Sequence, residues 1–264
     1  MAYGQLKLDS ISNWSYRSYL IPWLIGIPLE VLSGFYVLKV IMDSAGDIAG
    51  WNFPQVAFLY AIGLLCHGVD DLLFIQGRGI DRGIIRGEFD RMLLRPLGVF
   101  FQFATGAFNW CGFFTIIPGI AVLGYACSLL ELRVTLALCL FVLVVTAAGS
   151  VIRGSILYLI GSIAFWTKKS SSLVVLDLTL KQRVSIYPLT IFPKWLQVLF
   201  TFVLPLGFIN FYPVSGLLKA PIGLHLPLPL DLMIWSPIVA AILFWLARGL
   251  FGYALRRKYE SAGS

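Results

Sequence analysis

Residues 77–98 read GRGIDRGIIRGEFDRMLLRPLG and separate two long apolar runs of the chain. This stretch holds five arginines and three acidic residues, whereas its flanks are apolar enough to lie in lipid. A membrane chain that places so many charges in one short loop exposes that loop to water. The stretch therefore predicts membrane spans on both sides of a loop that contacts something outside the membrane.

The composition excludes an ordinary soluble domain. Of the 264 residues, 59% are hydrophobic and 12% are charged, and the mean hydropathy is +0.86. Soluble domains carry about 25% charged residues. The net charge of +7 fits cationic cytoplasmic loops better than nucleic-acid binding. We predict an all-α polytopic membrane protein that forms a single transmembrane domain over residues 1–264.

We predict six apolar segments as spans of the ~30 Å hydrocarbon core of a bilayer. They are Tyr19–Met42, Phe53–Ile75, Phe100–Tyr125, Val134–Ile152, Trp195–Phe211 and Leu232–Tyr253. The run that begins at Val134 continues to Trp166. We expect Arg153 and Gly154 to interrupt it, so that a helical extension follows the span and reaches the membrane surface near Trp166. Lysines and arginines concentrate in the loops on one side of the membrane, and both termini lie on that side. Because cationic loops stay in the cytoplasm, we predict that both termini are cytoplasmic.

Two further segments are expected at the membrane surfaces. Residues 1–18 mix apolar, aromatic and charged residues, which favours a short N-terminal helix lying at the cytoplasmic interface. Residues 212–231 are apolar but contain four prolines, and this density excludes one continuous helix. We expect this outer segment to re-enter the membrane without crossing it.

The charged loop has the features of an amphipathic element. Helical spacing pairs Arg86 with Asp90 and Arg78 with Asp81, although such pairs contribute only about 0.2–0.5 kcal/mol each. Gly79, Gly83 and Gly87 repeat every four residues and give a face suited to close approach. A loop that only sets the topology needs no such features, so the pattern leaves two interpretations open, a solvated loop or a docking element.

Residues 86–97, RGEFDRMLLRPL, followed by Gln102, resemble a known signature. It is the pattern R-G-E-L-D-x-x-L-L-R-P-L of the six-span permease subunits of type-2 ATP-binding-cassette (ABC) exporters. Phe89 stands where that family usually has leucine. The resemblance continues in matching order along the chain, at residues 165–167, 187–189, 212–213 and 259–264.

The resemblance implies that membrane passage and ATP hydrolysis are carried out by separate chains. The 77–98 loop would carry a coupling helix that docks on a separate ABC ATPase subunit. The coupling residues would be Arg86, Gly87, Glu88, Phe89, Asp90, Arg91, Arg95 and Pro96. The chain has no G-x-x-x-x-G-K-[ST] phosphate loop, so we expect a non-catalytic subunit without a cofactor, with ATP and Mg²⁺ on the ATPase.

The same resemblance implies the other partners and the location. A second permease subunit, identical or related, would complete the translocation path. We expect contact with membrane lipid and none with nucleic acid, and the location would be the bacterial inner (plasma) membrane. Aromatic and aliphatic spans with few charges favour a hydrophobic or amphiphilic substrate.

Ionisable residues inside the predicted spans suggest two other functions. A charge at the bilayer centre costs roughly 2.5–3.5 kcal/mol on insertion scales, so such residues need a reason. The run His67-x-x-Asp70-Asp71 has ligands for a divalent metal, as in a membrane enzyme that modifies lipids. Glu30 and Arg153, as intramembrane polar contacts or as an ion pair, would suit a secondary carrier.

Overall fold

The computed structural model describes residues 2–223 and 232–259. Side chains are described from Pro22 to Ser44, from Gly46 to Gly223 and from Trp235 to Tyr259. The end of the predicted outer segment, residues 224–231, and the tail 260–264 therefore lie outside the described residues. Within the described ranges the regular structure is helical, and no strand is formed.

Within the described residues, five helices are long and apolar enough to cross a membrane, which confirms an all-α polytopic membrane protein. The count of six spans stays a prediction. In chain order the helices are α1 (Ala2–Ala45), α2 (Phe53–Phe74), α3 (Ile80–Ile85), α4 (Glu88–Leu93), α5 (Val99–Ala104), α6 (Gly112–Leu129), α7 (Leu136–Ser162), α8 (Ala164–Thr167), α9 (Ser171–Ile186), α10 (Lys194–Val198), α11 (Phe211–Leu218) and α12 (Leu232–Lys258).

The first helix is continuous, and most of its described side chains, between Pro22 and Ser44, are exposed or partly exposed. α1 runs from Ala2 to Ala45, so the predicted N-terminal segment 1–18 joins the first span without a break. Its place at a membrane surface stays a prediction. Ile25 and Leu29 are each 64% exposed, and Tyr36 is 67% exposed. An apolar helix with this much uncovered surface faces lipid or a further protein chain.

The third predicted span, Phe100–Tyr125, is wrong at its start. The chain forms the separate short helix α5, and α6 begins only at Gly112. The Asn109 side chain accepts a hydrogen bond from the backbone nitrogen of Cys111 at 3.2 Å. Such side-chain turns compete with helical hydrogen bonds, which explains why the apolar run does not continue as one helix.

The predicted interruption at Arg153 and Gly154 is wrong, whereas the predicted helical extension beyond Ile152 is confirmed. α7 continues to Ser162 without interruption. Arg153 is buried and paired with groups on α2, and Gly154 leaves room for the ring of Phe74. A charge and a glycine that both serve packing against a neighbouring helix do not end a helix.

The fifth predicted span, Trp195–Phe211, is not one helix. α10 passes into a π-helical turn at Leu199–Val203, and the chain then turns at Leu204, whose φ and ψ are −117° and 89°. Pro205 follows, and a proline disfavours helical geometry at the residue before it. After a short 3₁₀ turn at Leu206–Phe208, α11 begins the predicted outer segment.

The core is built around α2, which packs against α6, α7 and α9. α2 begins with a capping box, in which Asn52 and Gln55 exchange side-chain to backbone hydrogen bonds of 3.0 and 3.1 Å. Gly68 and Gly112 bring the backbones of α2 and α6 into direct contact, where any side chain would clash. Small residues at such crossings are typical of membrane helices.

Candidate functional site

The charged loop forms two short helices joined by a sharp turn. α3 ends at Ile85, and α4 begins at Glu88. Gly87 between them has a φ of +64°, a left-handed conformation that glycine adopts without strain. Because the turn separates the two helices, the predicted pairing of Arg86 with Asp90 is not formed. Arg86 Nη1 instead lies 3.9 Å from Glu88 Oε1.

One side of the loop is open to the surroundings. The predicted coupling residues Arg86, Arg91, Arg95 and Pro96 are exposed, while Gly87, Glu88 and Asp90 are partly buried. Leu94 lies in the same stretch and is 87% exposed. Cationic side chains around an uncovered leucine form a surface that combines charge with apolar area, as a docking surface does.

Phe89 fixes the other side of the loop to the body of the protein. Its ring is fully buried, with centroid distances of 5.1 Å to Phe103, 5.6 Å to Phe165, 5.8 Å to Phe251 and 5.7 Å to Tyr259. These rings come from α5, α8, the end of α12 and the residue after it. We call these five residues the aromatic cluster. It joins the loop to the last long helix.

Two further contacts hold the loop in place. Gln102 Nε2 donates to the backbone oxygens of Met92 at 3.0 Å and Leu97 at 2.6 Å. A Cβ at Gly83 would lie 3.3 Å from the Phe89 ring, so this residue of the predicted glycine face is turned inward, whereas Gly79 and Gly87 are partly exposed. Partial burial and the neighbouring Asp90 carboxyl raise the pKa of Tyr259 to about 12, so the phenol stays neutral at physiological pH.

A second polar group lies between the long helices, at residues that the sequence had marked. Arg153 Nε lies 3.3 Å from Asp70 Oδ2, and Arg153 Nη2 lies 2.7 Å from His67 Nδ1. Both Arg153 and Asp70 are 1% exposed. Asp71, the residue after Asp70, contacts Arg78. The predicted pairing of Arg78 with Asp81 is therefore wrong.

Lys181 also belongs to this group, although it was not predicted as one of its members. Lys181 is fully buried, and its Nζ donates to the backbone oxygen of Arg153 at 2.7 Å and to Asp177 Oδ2 at 2.5 Å. Burial raises the pKa of Asp177 and lowers that of Lys181, while their mutual attraction opposes both shifts. The four-residue spacing of Asp177 and Lys181 on α9 was the available indication of their pairing.

The arginines bear on the metal hypothesis for His67, Asp70 and Asp71. One ligand atom from each of these residues lies within 4.8 Å of the others, as a metal site requires. However, Arg153 contacts His67 and Asp70, and Arg78 contacts Asp71. Guanidinium groups already balance both carboxylates, which favours an ion-pair network over a site for a divalent cation.

A cavity of about 280 Å³ opens beside this network and brings Glu30 and Arg153 to one place. The two side chains line it but do not pair, since Arg153 contacts α2 and Glu30 Oε1 accepts a hydrogen bond from Gln182 Nε2 at 3.1 Å. Apolar side chains of α1 and α2, including Ile27, Val31 and Leu64, also line it, together with polar residues of α6 and α9. The cavity is thus lined by both charged and apolar side chains.

Comparison with known proteins gave one family. The model of the ABC-2 family transporter protein matches residues 29–263, nearly the whole chain. Neither the comparison with curated proteins nor that with solved structures found a match. The family match covers both the charged loop and the polar network.

Proposed function

Because the chain belongs to the ABC-2 transporter family, we propose that it is the membrane-spanning permease subunit of a type-2 ABC exporter. The observation that carries this proposal is the charged loop. It presents an exposed cationic surface around Leu94 and is anchored from behind by Phe89. The exposed side of such a loop can bind another protein, and the packed side can pass a movement of that protein on to the membrane helices.

The proposed mechanism assigns the energy to a separate ATPase subunit. Closure of two ATPase subunits on ATP and Mg²⁺ would move the charged loops of two permease subunits that face each other. Closure of the ATPase subunits shifts the membrane helices only if the contacts between ATPase and permease differ between the open and the closed state. The aromatic cluster offers the route, since Phe89 contacts Phe251 on α12 and Phe165 on α8.

The coupling residues have distinct roles in this mechanism. Arg86, Arg91 and Arg95 would meet acidic groups of the ATPase, and Glu88 would hold Arg86. Gly87 gives the turn, Pro96 ends the loop, and Phe89 fixes it to the core. Asp90 lies next to Tyr259 and would hold the end of α12 against the loop.

The described part of α1 supports a second permease subunit as partner, since it offers an exposed apolar surface for such a contact. The cavity between Glu30 and Arg153 supports a hydrophobic or amphiphilic substrate, because its walls combine apolar and charged groups. We place the charged loop and both termini in the cytoplasm of a bacterial cell, with the spans in the inner membrane.

Purification of the full chain from its native membrane tests this proposal. We expect an ABC ATPase to co-purify in equal amount with the chain, and the complex to hydrolyse ATP. A chain that purifies alone and turns over lipid with a divalent metal would contradict the proposal and support the enzyme. A chain that purifies alone and transports along an ion gradient would support the secondary carrier.

A further inference from the structure

A long groove lies between α5 and α12, away from the cavity and the polar network. It has a volume of about 1660 Å³. Its walls are apolar and aromatic, with Phe101 and Trp245 among them. Three arginines, Arg248, Arg256 and Arg257, also line it, and its described lining contains no acidic residue. The groove therefore combines an apolar interior with a concentration of positive charge.

Arg248 is the residue that most needs an explanation. It lies within an apolar window of α12, ten residues before the helix ends at Lys258. Ten residues of α-helix extend about 15 Å, so Arg248 lies deeper than Arg256 and Arg257. Its guanidinium lies 5.1 Å from the ring centroid of Trp245. Nothing in the described part of the chain forms an ion pair with Arg248, although a charge this far inside a span is costly.

We propose that this groove binds an anionic phospholipid. The phosphate of the headgroup would be held by Arg256 and Arg257 at the end of α12, and Arg248, about 12 Å deeper along the helix, would add to the positive potential that attracts the anionic lipid. Guanidinium groups bind phosphate oxygens through paired, charge-assisted hydrogen bonds. The acyl chains would lie along the apolar walls formed by α5 and the face of α12. Basic pockets between membrane helices on the cytoplasmic side are suited to such lipids.

Charge complementarity selects this occupant over others. A zwitterionic lipid would fill the apolar walls equally well but would bring its own cation next to three arginines. A second copy of this chain would bring three arginines of its own to the contact if it used the same face, and like charges at an interface are penalised. An anionic lipid supplies both a negative charge for the three arginines and acyl chains that cover the apolar walls of the groove.

The groove also touches the charged loop, because Leu93 and Leu97 line it. A bound lipid would therefore contact the segment to which we assign coupling. That consequence rests on the proposed function, whereas the lipid site itself does not. The experiment below measures lipid binding by the permease chain alone, so it remains valid if no ATPase is found.

Native mass spectrometry of the full chain, released from micelles doped with phosphatidylglycerol or phosphatidylcholine, tests the proposal. We expect retained phosphatidylglycerol on the wild-type chain, with affinity roughly tenfold or more above phosphatidylcholine. The triple variant R248Q/R256Q/R257Q should lose this preference, since each cation near a membrane surface contributes severalfold to binding. The matched control K169Q/R183Q/K194Q removes the same charge from exposed positions of another loop and should keep the preference.

A second readout serves if the triple variant fails to fold. Phosphatidylglycerol with brominated acyl chains should quench the fluorescence of Trp245. In W245F the total quenching should fall by the amount that Trp245 contributes in the wild-type chain. Brominated phosphatidylcholine should quench less. Equal retention of both lipids, equal loss in the control variant, or quenching that W245F leaves unchanged would overturn the proposal. Disulfide linking of two chains through W245C would overturn it as well, because a second copy would then fill the groove.

Discussion

Arg153 is buried in α7, and its charge is balanced by groups that are far away in the chain. Asp70 lies 83 residues earlier and His67 lies 86 residues earlier, and Lys181 binds the backbone oxygen of Arg153 from α9. Removing one member of a buried pair leaves the other charge uncompensated. The cost of this change is large even where the intact pair contributes little net stability.

We therefore expect R153M to destabilise the folded chain by about 3–5 kcal/mol, because Asp70 keeps its buried charge. The double variant R153M/D70N should lose less free energy of unfolding than the two single variants lose together. The difference, which is the coupling energy, should be roughly 1 kcal/mol or more. Thermal unfolding of the purified chain in detergent measures all three. Costs that simply add would mean that the two residues are not coupled.

Phe89 allows a sharper comparison, because leucine is the usual residue in the family signature. F89A should remove the ring from the aromatic cluster and cost about 3–5 kcal/mol. F89L keeps most of the apolar volume and should cost less than about 1.5 kcal/mol. L94A, at a residue that is 87% exposed, is the control and should leave the melting temperature unchanged. Equal melting temperatures for F89A and L94A would contradict the packing role of Phe89.

At the residue scale, the sequence showed which side chains need partners but not which partners they have. His67, Asp70 and Arg153 stood out because charges are rare in apolar runs. Their pairing depends on how α2 and α7 pack, and sequence spacing carries no information about that. Lys181 was missed for the same reason, since its partner is a backbone oxygen of another helix.

At the scale of elements, the apolar runs predicted most helices and failed where local chemistry stops a helix. Pro205 and Asn109 break runs whose hydrophobicity alone predicts continuous spans. The opposite error occurred at Arg153 and Gly154, where two typical interruptions are accommodated by α2. Such outcomes depend on local side-chain chemistry and on contacts between helices, which the hydropathy of a run does not report.

The charged loop is the element whose role can be tested by reversing charge. We expect E88K/D90K to weaken retention of the ATPase. The two lysines remove the contacts by which Glu88 holds Arg86 and Asp90 holds Tyr259, so the docking surface loses its arrangement and polar groups at the interface lose their partners. The topology should persist, since a more positive loop remains cytoplasmic. The control D9K/E260K makes the same change at two positions in the predicted cytoplasmic termini. Retention measured by affinity purification should fall in the first variant only, and equal retention would reduce the loop to a topology signal.

At the scale of the whole molecule, the predicted orientation places the charged loop opposite two other segments. An impermeant thiol reagent should label E131C and K219C in intact cells, and R86C only after permeabilisation. The four native cysteines are first replaced by alanine, because Cys139 is exposed. Labelling of R86C in intact cells would reverse the orientation and with it the proposed site of ATPase docking.

The central claim is that the charged loop touches a separate ATPase, and one cross-linking measurement tests it most directly. L94C and V134C place a thiol at two apolar residues that are 87% and 76% exposed, the first in the loop and the second before α7. A short thiol-reactive cross-linker is added to membranes that contain the assembled transporter. We predict an adduct between the chain and an ABC ATPase for L94C and none for V134C. A complex that contains the ATPase but gives no adduct with L94C, or equal adducts with both, would contradict the account.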